Sequence, residues 1–408
     1  VRDTTALNPE DDDMTARKRI EFTFPVGYHQ FHEKQLFNFQ LNRWYSLGYA
    51  GFEDMQEAGR RINSFTDWKA EMLRQAEKAV SEDRLMNATF YYRAAEFYTS
   101  QDDPDKALLY DRFIELFYKV FRAEGIERST LRYDGAFLPA MRVSPAGSDK
   151  KSTLVMHGGF DSFMEEFYSW MRFFADRGYE VIAFEGPGQG GARRKYGLPL
   201  DYRWESPTGA VLDYFGLKDV TLLGISMGGY LCLRAAALDT RIKRVIASAI
   251  AYDYNQFQNA PGQLMSRLFF QYMRGFSDWA ARKKMEKDEM HRWSIGNLMF
   301  MADRKTPMEA MDVVLQLSAR NLHSELVEQD VLILTGSEDH FIPLKMHDMQ
   351  VKALVNARSV TGRVFTREEQ AQNHCQIGNI GLALDVMTEW LEKKTSTESQ
   401  QPSPAQSV

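Results

Sequence analysis

Cysteine is scarce: the chain has two in 408 residues, Cys232 and Cys375. Two thiols make neither a disulfide framework nor a zinc ligand set, so a reducing, cytoplasmic setting is expected. No apolar run reaches the roughly 20 residues that a membrane span needs. The first residues, Val1 to Glu21, are polar and acidic and carry no apolar core of a signal peptide. No block of Lys and Arg stands out, and the net charge is −6, which argues against nucleic acid as a partner. Phosphate-binding glycine motifs are also missing: neither G-x-x-x-x-G-K-[ST] nor G-x-G-x-x-G occurs. These absences leave an ordinary globular protein, with no cofactor and no metal expected.

Apolar residues make up 44% of the chain, enough for a sizeable core. Residues 1–22 and the Ser/Gln/Pro-rich stretch 395–408 read as disordered. Residues 23–125 read as helical, with Leu109, Phe113, Phe117 and Phe121 along one helix face. Asp103-Pro104 is a helix start: the carboxylate can cap, and proline at the first turn loses no hydrogen bond. A faint tetratricopeptide-like hairpin around Tyr91 and Tyr110 has no second copy, so no repeat array is expected.

From residue 126 the period changes. Leu131 to Val143 suggests a hairpin. Short apolar runs then alternate with helical segments: 153–156, 180–184, 220–223, 242–250, 331–334 and 363–365 as strands, with a closing helix over 380–391. This alternation predicts an α/β fold built on a mostly parallel, doubly wound sheet, over 126–251 and 322–394. Residues 252–321 interrupt it with helical periodicity and eight methionines between Met265 and Met311. They read as an inserted cap, whose unbranched methionines either line an apolar ligand site or fill the cap's own core.

Chemistry concentrates at four places. Gly224-Ile225-Ser226-Met227-Gly228-Gly229 lies between a strand and a helix. A tight turn there lifts the Ser226 hydroxyl above the sheet edge, and small neighbours let the backbone pass close. Met156-His157-Gly158-Gly159-Phe160 follows a strand, where glycines can turn amides toward an oxyanion. With the amide of Met227, that of Gly159 or Phe160 would complete a pair of donors. His157 shapes the loop rather than carrying protons. Asp339 follows the strand 331–334 and can orient a histidine; Glu338 and Asp253 compete for this role, Asp253 more simply as a solvated loop acid. His374 lies after the last strand, which completes the order serine, acid, histidine. Cys375 beside it has no elbow to support a nucleophile.

Glu185-Gly186-Pro187-Gly188-Gln189-Gly190 reads as a turn at the site's rim. Together with His157-Gly158-Gly159, the Ser226 elbow, Asn373-His374-Cys375-Gln376 and the helical Arg93-Ala94-Ala95-Glu96-Phe97-Tyr98, it resembles the α/β hydrolases related to 2,6-dihydroxypseudooxynicotine hydrolase. The fungal secondary-metabolism branch is the most similar. The resemblance implies a serine triad acting on β-diketone, polyketide or related acyl compounds. C–C cleavage, ester hydrolysis and acyl transfer or cyclisation all stay open, as does the remote option of a non-catalytic ligand receptor. It also implies a small apolar carbonyl substrate, a homodimer, N-terminal helices that help close the site, and an accessory acid for which Asp253 is the candidate.

Overall fold

The computed structural model describes residues 20–399, except 146, 148, 258–260, 263–264, 266–268 and 271. Most of the expected disordered ends, 1–22 and 395–408, lies outside the described residues. Where the two overlap, the structure is ordered. Ile20 and Phe22 pack against the core, the Ile20 amide donates to Glu124 (3.0 Å), and the last helix, Ile380–Ser399, runs past residue 395.

Eight strands form one sheet in the order β1-β2-β4-β3-β5-β6-β7-β8. Glu127–Tyr133 (β1) and Ala136–Val143 (β2) form the expected hairpin, and β2 pairs antiparallel with Tyr179–Phe184 (β4). The rest is parallel: Ser152–His157 (β3), β4, Val220–Ile225 (β5), Ile242–Ser248 (β6), Asp330–Gly336 (β7) and Ser359–Phe365 (β8). β4, β5 and β7 are buried along their whole length, as strands covered by helices on both faces must be. β6 stops at Ser248, short of the predicted residue 250, because Ala249 turns to positive φ (66°).

The N-terminal region is five helices: Gln35–Ser46 (α1), Phe52–Arg61 (α2), Phe65–Ser81 (α3), Leu85–Tyr98 (α4) and Asp105–Val120 (α5). Local chemistry starts two of them. Ser64 and Asp67 form a reciprocal capping box on α3, and the Asp103 carboxylate accepts the Asp105 amide (2.9 Å) ahead of α5. Their aromatic faces share one continuous core with the sheet. Trp44, Trp68, Phe90, Phe113 and Phe117 belong to the same cluster as Met156, Tyr168 and Ile225. Tyr168–Ala175 (α6) packs on β4 and is closed by Gly178 at φ 91°. Gly190–Arg194 (α7), Glu205–Phe215 (α8) and Met227–Ala236 (α9) complete the run to β6. The expected cap is helical: Arg274–Lys287 (α10), Glu289–Ala302 (α11) and Pro307–Val314 (α12) pack on one another. Among the described residues no helix is long and apolar enough to cross a membrane.

Candidate active site

Ser226 sits where β5 turns into α9, at φ 61° and ψ −124°. That is a strained conformation for any residue with a side chain, and the surrounding glycines enforce it. A Cβ on Gly224 would overlap the Gly228 carbonyl, and one on Gly229 would overlap the Ala249 carbonyl. The turn can be this tight only because both positions lack side chains.

The acid and the imidazole arrive on two loops laced by backbone. The Ser337 amide donates to Phe365 O and the Glu338 amide to Gln372 O, both at 2.9 Å. Gly336 lies so close to the carbonyls of Gln372 and Asn373 that a Cβ would overlap them. This lacing brings Asp339 and His374 together. The Asp339 Oδ2 bonds His374 Nδ1 at 2.6 Å, and His374 Nε2 bonds Ser226 Oγ at 2.8 Å. The second Asp339 oxygen accepts the amides of Phe341 (2.8 Å) and Ile342 (2.9 Å). Burial opposes the charge of Asp339, but His374 and these amides outweigh it and hold the carboxyl below its ordinary range. Burial likewise disfavours a charged His374, yet Asp339 prevails and raises the imidazole well above its usual value. Phe341 meets the imidazole edge-on at 5.0 Å, and Phe39 from α1 approaches within 6.4 Å, so the N-terminal layer shields the ring from water.

Glu338, the competing acid, is on the surface, paired with Arg367. Asp253 needs correction. It is buried rather than solvated, and both its oxygens are engaged locally, accepting from Asn255 and Gln256 at 2.9 Å. It caps a short 3-10 turn and does not line the cavity, so it is not placed to act as an accessory acid.

The glycine loop after β3 lies against the elbow. A Cβ on Gly159 would stand 2.8 Å from Met227 N and 3.1 Å from Ser226 Cβ. The Gly159 amide leans toward Ser162 Oγ (3.4 Å). His157 is fully buried against Phe184 and Trp204, and burial lowers its pKa to about 4, so it stays neutral and structural. The turn at 185–190 does more than form a rim. Gln189 Nε2 donates to the carbonyls of Gly158 (2.8 Å) and Gly159 (3.2 Å), and its Oε1 accepts the Gly186 amide. One amide side chain therefore holds the oxyanion loop, a role that nothing in the turn's glycine pattern announces.

Above Ser226 lies a cavity of about 310 Å³. Phe160, Trp170, Tyr254, Phe257 and Trp293 give it an aromatic wall, and Leu36, Phe39 and Arg43 of α1 close it. Of the cap's methionines only Met290 lines it; Met301 and Met308 are buried elsewhere, and Met265 and Met273 are exposed. The lining role expected for methionine falls to aromatic rings. Among the described residues no group of three or more His, Cys, Asp or Glu has metal-binding geometry.

A sheet of this order with a strand-turn-helix serine at its carboxyl edge defines a class. Residues 152–361 match the family described as alpha/beta hydrolase fold, and the chain belongs to it. It is similar to several fungal hydrolases. Hydrolase acrC of Aspergillus aculeatus is 31% identical, over 66% of this chain and 70% of the relative. The 20-hydroxy-prefusarin hydrolase FUS2 of Gibberella moniliformis is 28% identical, over 77% and 84%. Among solved structures, 2,6-dihydroxy-pseudo-oxynicotine hydrolase shares the fold at a TM-score of 0.60 and 23% identity, covering 86% of this chain and 94% of that one.

Proposed function

We propose that the chain is a serine hydrolase that cleaves an ester or an activated C–C bond in an apolar, polyketide-like or β-diketone substrate. The observation that carries this reading is the continuous hydrogen-bonded path from Ser226 Oγ through His374 to Asp339 at the floor of an aromatic cavity. Ser226 attacks the carbonyl as His374 Nε2 takes its proton. Negative charge then develops on the carbonyl oxygen, where the Met227 and Phe160 amides receive it. His374, held in one tautomer by Asp339, returns the proton to the leaving alkoxide or enolate. Water repeats the sequence on the acyl-enzyme. The aromatic lining supports a bulky apolar acyl compound over a small polar one. A homodimer through the N-terminal helices belongs to the same reading and is tested by sedimentation.

The test is labelling with a fluorophosphonate, then a screen of β-diketones, naphthopyrones and simple esters in isotopically labelled water. Ser226→Ala should abolish both labelling and turnover. One oxygen label in the acid product marks hydrolysis; an unlabelled acyl product marks transfer or cyclisation instead. Labelling that persists in Ser226→Ala refutes the nucleophile.

A further inference from the structure

Among the described residues the cavity wall carries one arginine, Arg43, and one carboxylate, Asp161; apart from these and His374 its described lining is apolar or neutral. Arg43 reaches from α1 into the catalytic core. One terminal nitrogen bonds Glu166 at 2.6 Å, the other lies 3.6 Å from Asp161, and the guanidinium rests beside the rings of Trp44 and Phe97.

Glu166 does not belong to Arg43 alone. Its other oxygen takes Arg93 Nε at 2.7 Å. Arg93 also pairs with Glu96, which is shared with Lys106 (2.8 Å) and Arg194 (2.9 Å). Four cations, Arg43, Arg93, Lys106 and Arg194, thus face three carboxylates, Glu96, Glu166 and Asp161. Two further buried acids border the group. Burial, and Glu165 beside it, push Glu185 up to about 8, so it is mostly uncharged at neutral pH. Burial also raises Glu165, which bonds Tyr118 at 2.9 Å and has Arg128 nearby. Around Glu96, Glu166 and Asp161 the basic side chains therefore outnumber the carboxylates that pair with them. Glu96 and Glu166 are almost wholly buried, so Arg43 is where that surplus meets the cavity. Asp161, the group that offsets it there, is the most exposed of the three carboxylates (28%) and directly follows Phe160 of the oxyanion loop.

We propose that Arg43 is a specificity-determining residue that binds an ionised oxygen, carboxylate or enolate, of an otherwise apolar substrate. The inference rests on the hydrolase reading for the word substrate, but its chemistry is that of a binding site. In a cavity with apolar walls an arginine that shares its carboxylates with other cations favours an anion over a neutral group of the same size. Asp161 sets how strong the preference is, since its own negative charge competes with the incoming one.

Isothermal calorimetry on the whole chain tests this with three probes of matched alkyl length: an alkanol, an alkanoate, and an alkyl cyclic 1,3-diketone that is ionised at neutral pH. At least one anion should bind about tenfold more tightly than the alkanol, the size of a charge-assisted hydrogen bond. Which anion wins identifies the source of the charge. Arg43→Met should erase the advantage, Arg43→Lys should keep part of it, and Asp161→Asn should enlarge it several-fold. Asp161→Asn conserves volume at a partly exposed site, so it reads out the proposal even if Arg43→Met fails to fold. Equal binding of all three probes, or an anion preference unmoved by Arg43→Met or Asp161→Asn, overturns the proposal. Fluorophosphonate labelling of each variant is scored separately: intact anion selectivity without labelling would count against the serine mechanism and not against this subsite.

Discussion

Replacing Asp339 by Asn removes one charge and almost no volume, which makes it a clean probe of the relay. In the native site one carboxylate oxygen takes the His374 Nδ1 proton at 2.6 Å and the other takes two backbone amides. An asparagine keeps its carbonyl on the two amides, because turning its NH2 toward them would set donor against donor. Its NH2 must then face Nδ1. A donor there forces Nδ1 to accept, so the ring proton moves to Nε2, the nitrogen that has to receive the proton of Ser226. The loss expected from the wrong tautomer is on the order of 10⁴ in kcat, about 5.5 kcal/mol of barrier. The pH profile carries a second signature. His374 works as a base only when neutral, so activity rises as pH climbs through its pKa. Asp339 raises that pKa above the ordinary 6.5, and the acid limb of the wild type should lie above it. In Asp339→Asn the strongest raising charge is gone while burial still opposes the charged imidazole, so the limb should move to lower pH while the plateau falls. The assay is the rate of fluorophosphonate labelling or of ester turnover across pH, with circular dichroism to confirm the fold. A variant within tenfold of wild type, with its acid limb unmoved, would refute the relay.

Two further outcomes follow from the same geometry. Gln189→Leu should loosen the loop that carries Phe160, lowering kcat on a neutral ester by about 10- to 100-fold with little change in KM, because the oxyanion forms only after binding. Equal losses in Ser226 labelling and in ligand binding would show a cavity effect instead. Arg93→Met strips a buried cation from Glu166 and Glu96 and should destabilise the fold by about 3–5 kcal/mol. Urea denaturation at neutral pH measures it, and a loss below about 1 kcal/mol would refute the reading of these contacts as buried ion pairs.

The groups of the proposed triad were legible in the sequence because each is fixed by short-range grammar. Ser226 is bracketed by glycines whose absence of a side chain the turn demands, and Asp339 and His374 each follow a strand that periodicity reveals. The β1–β2 hairpin, the parallel strands and the helical N-terminal region were legible for the same reason. What the residues alone did not give is long-range. Helix α8 and the helix Lys345–Ala353 lack a strong apolar stripe and went unread. Asp253 sits at the same sheet edge as the reacting groups, and only coordinates reveal that its oxygens are consumed by Asn255 and Gln256. Gln189 and Arg43 act on partners 31 and 123 residues away, which no local pattern encodes.

The same long-range contacts explain why an enzyme of this kind keeps charges in its core. Arg93 is about 1% exposed, and taking such a group out of water costs more than a single pair usually returns. An apolar cluster of similar volume would hold α4 against the sheet at least as well. It would not hold the loop. Arg93 donates to the Asp161 carbonyl at 2.5 Å and grips Glu166, whose Oε1 also accepts the Phe163 amide at 2.8 Å. The backbone on either side of Ser162 is thereby hung from α4, while Gln189 holds Gly158 and Gly159 from the opposite side. Hydrogen bonds fix direction where packing fixes only distance, and in the proposed reaction the amide of Phe160 needs direction to meet an oxygen that exists only during turnover. The N-terminal helices therefore do more than cover the cavity: their buried ions anchor the loop that runs from Gly158 past Ser162, beside the Ser226 elbow.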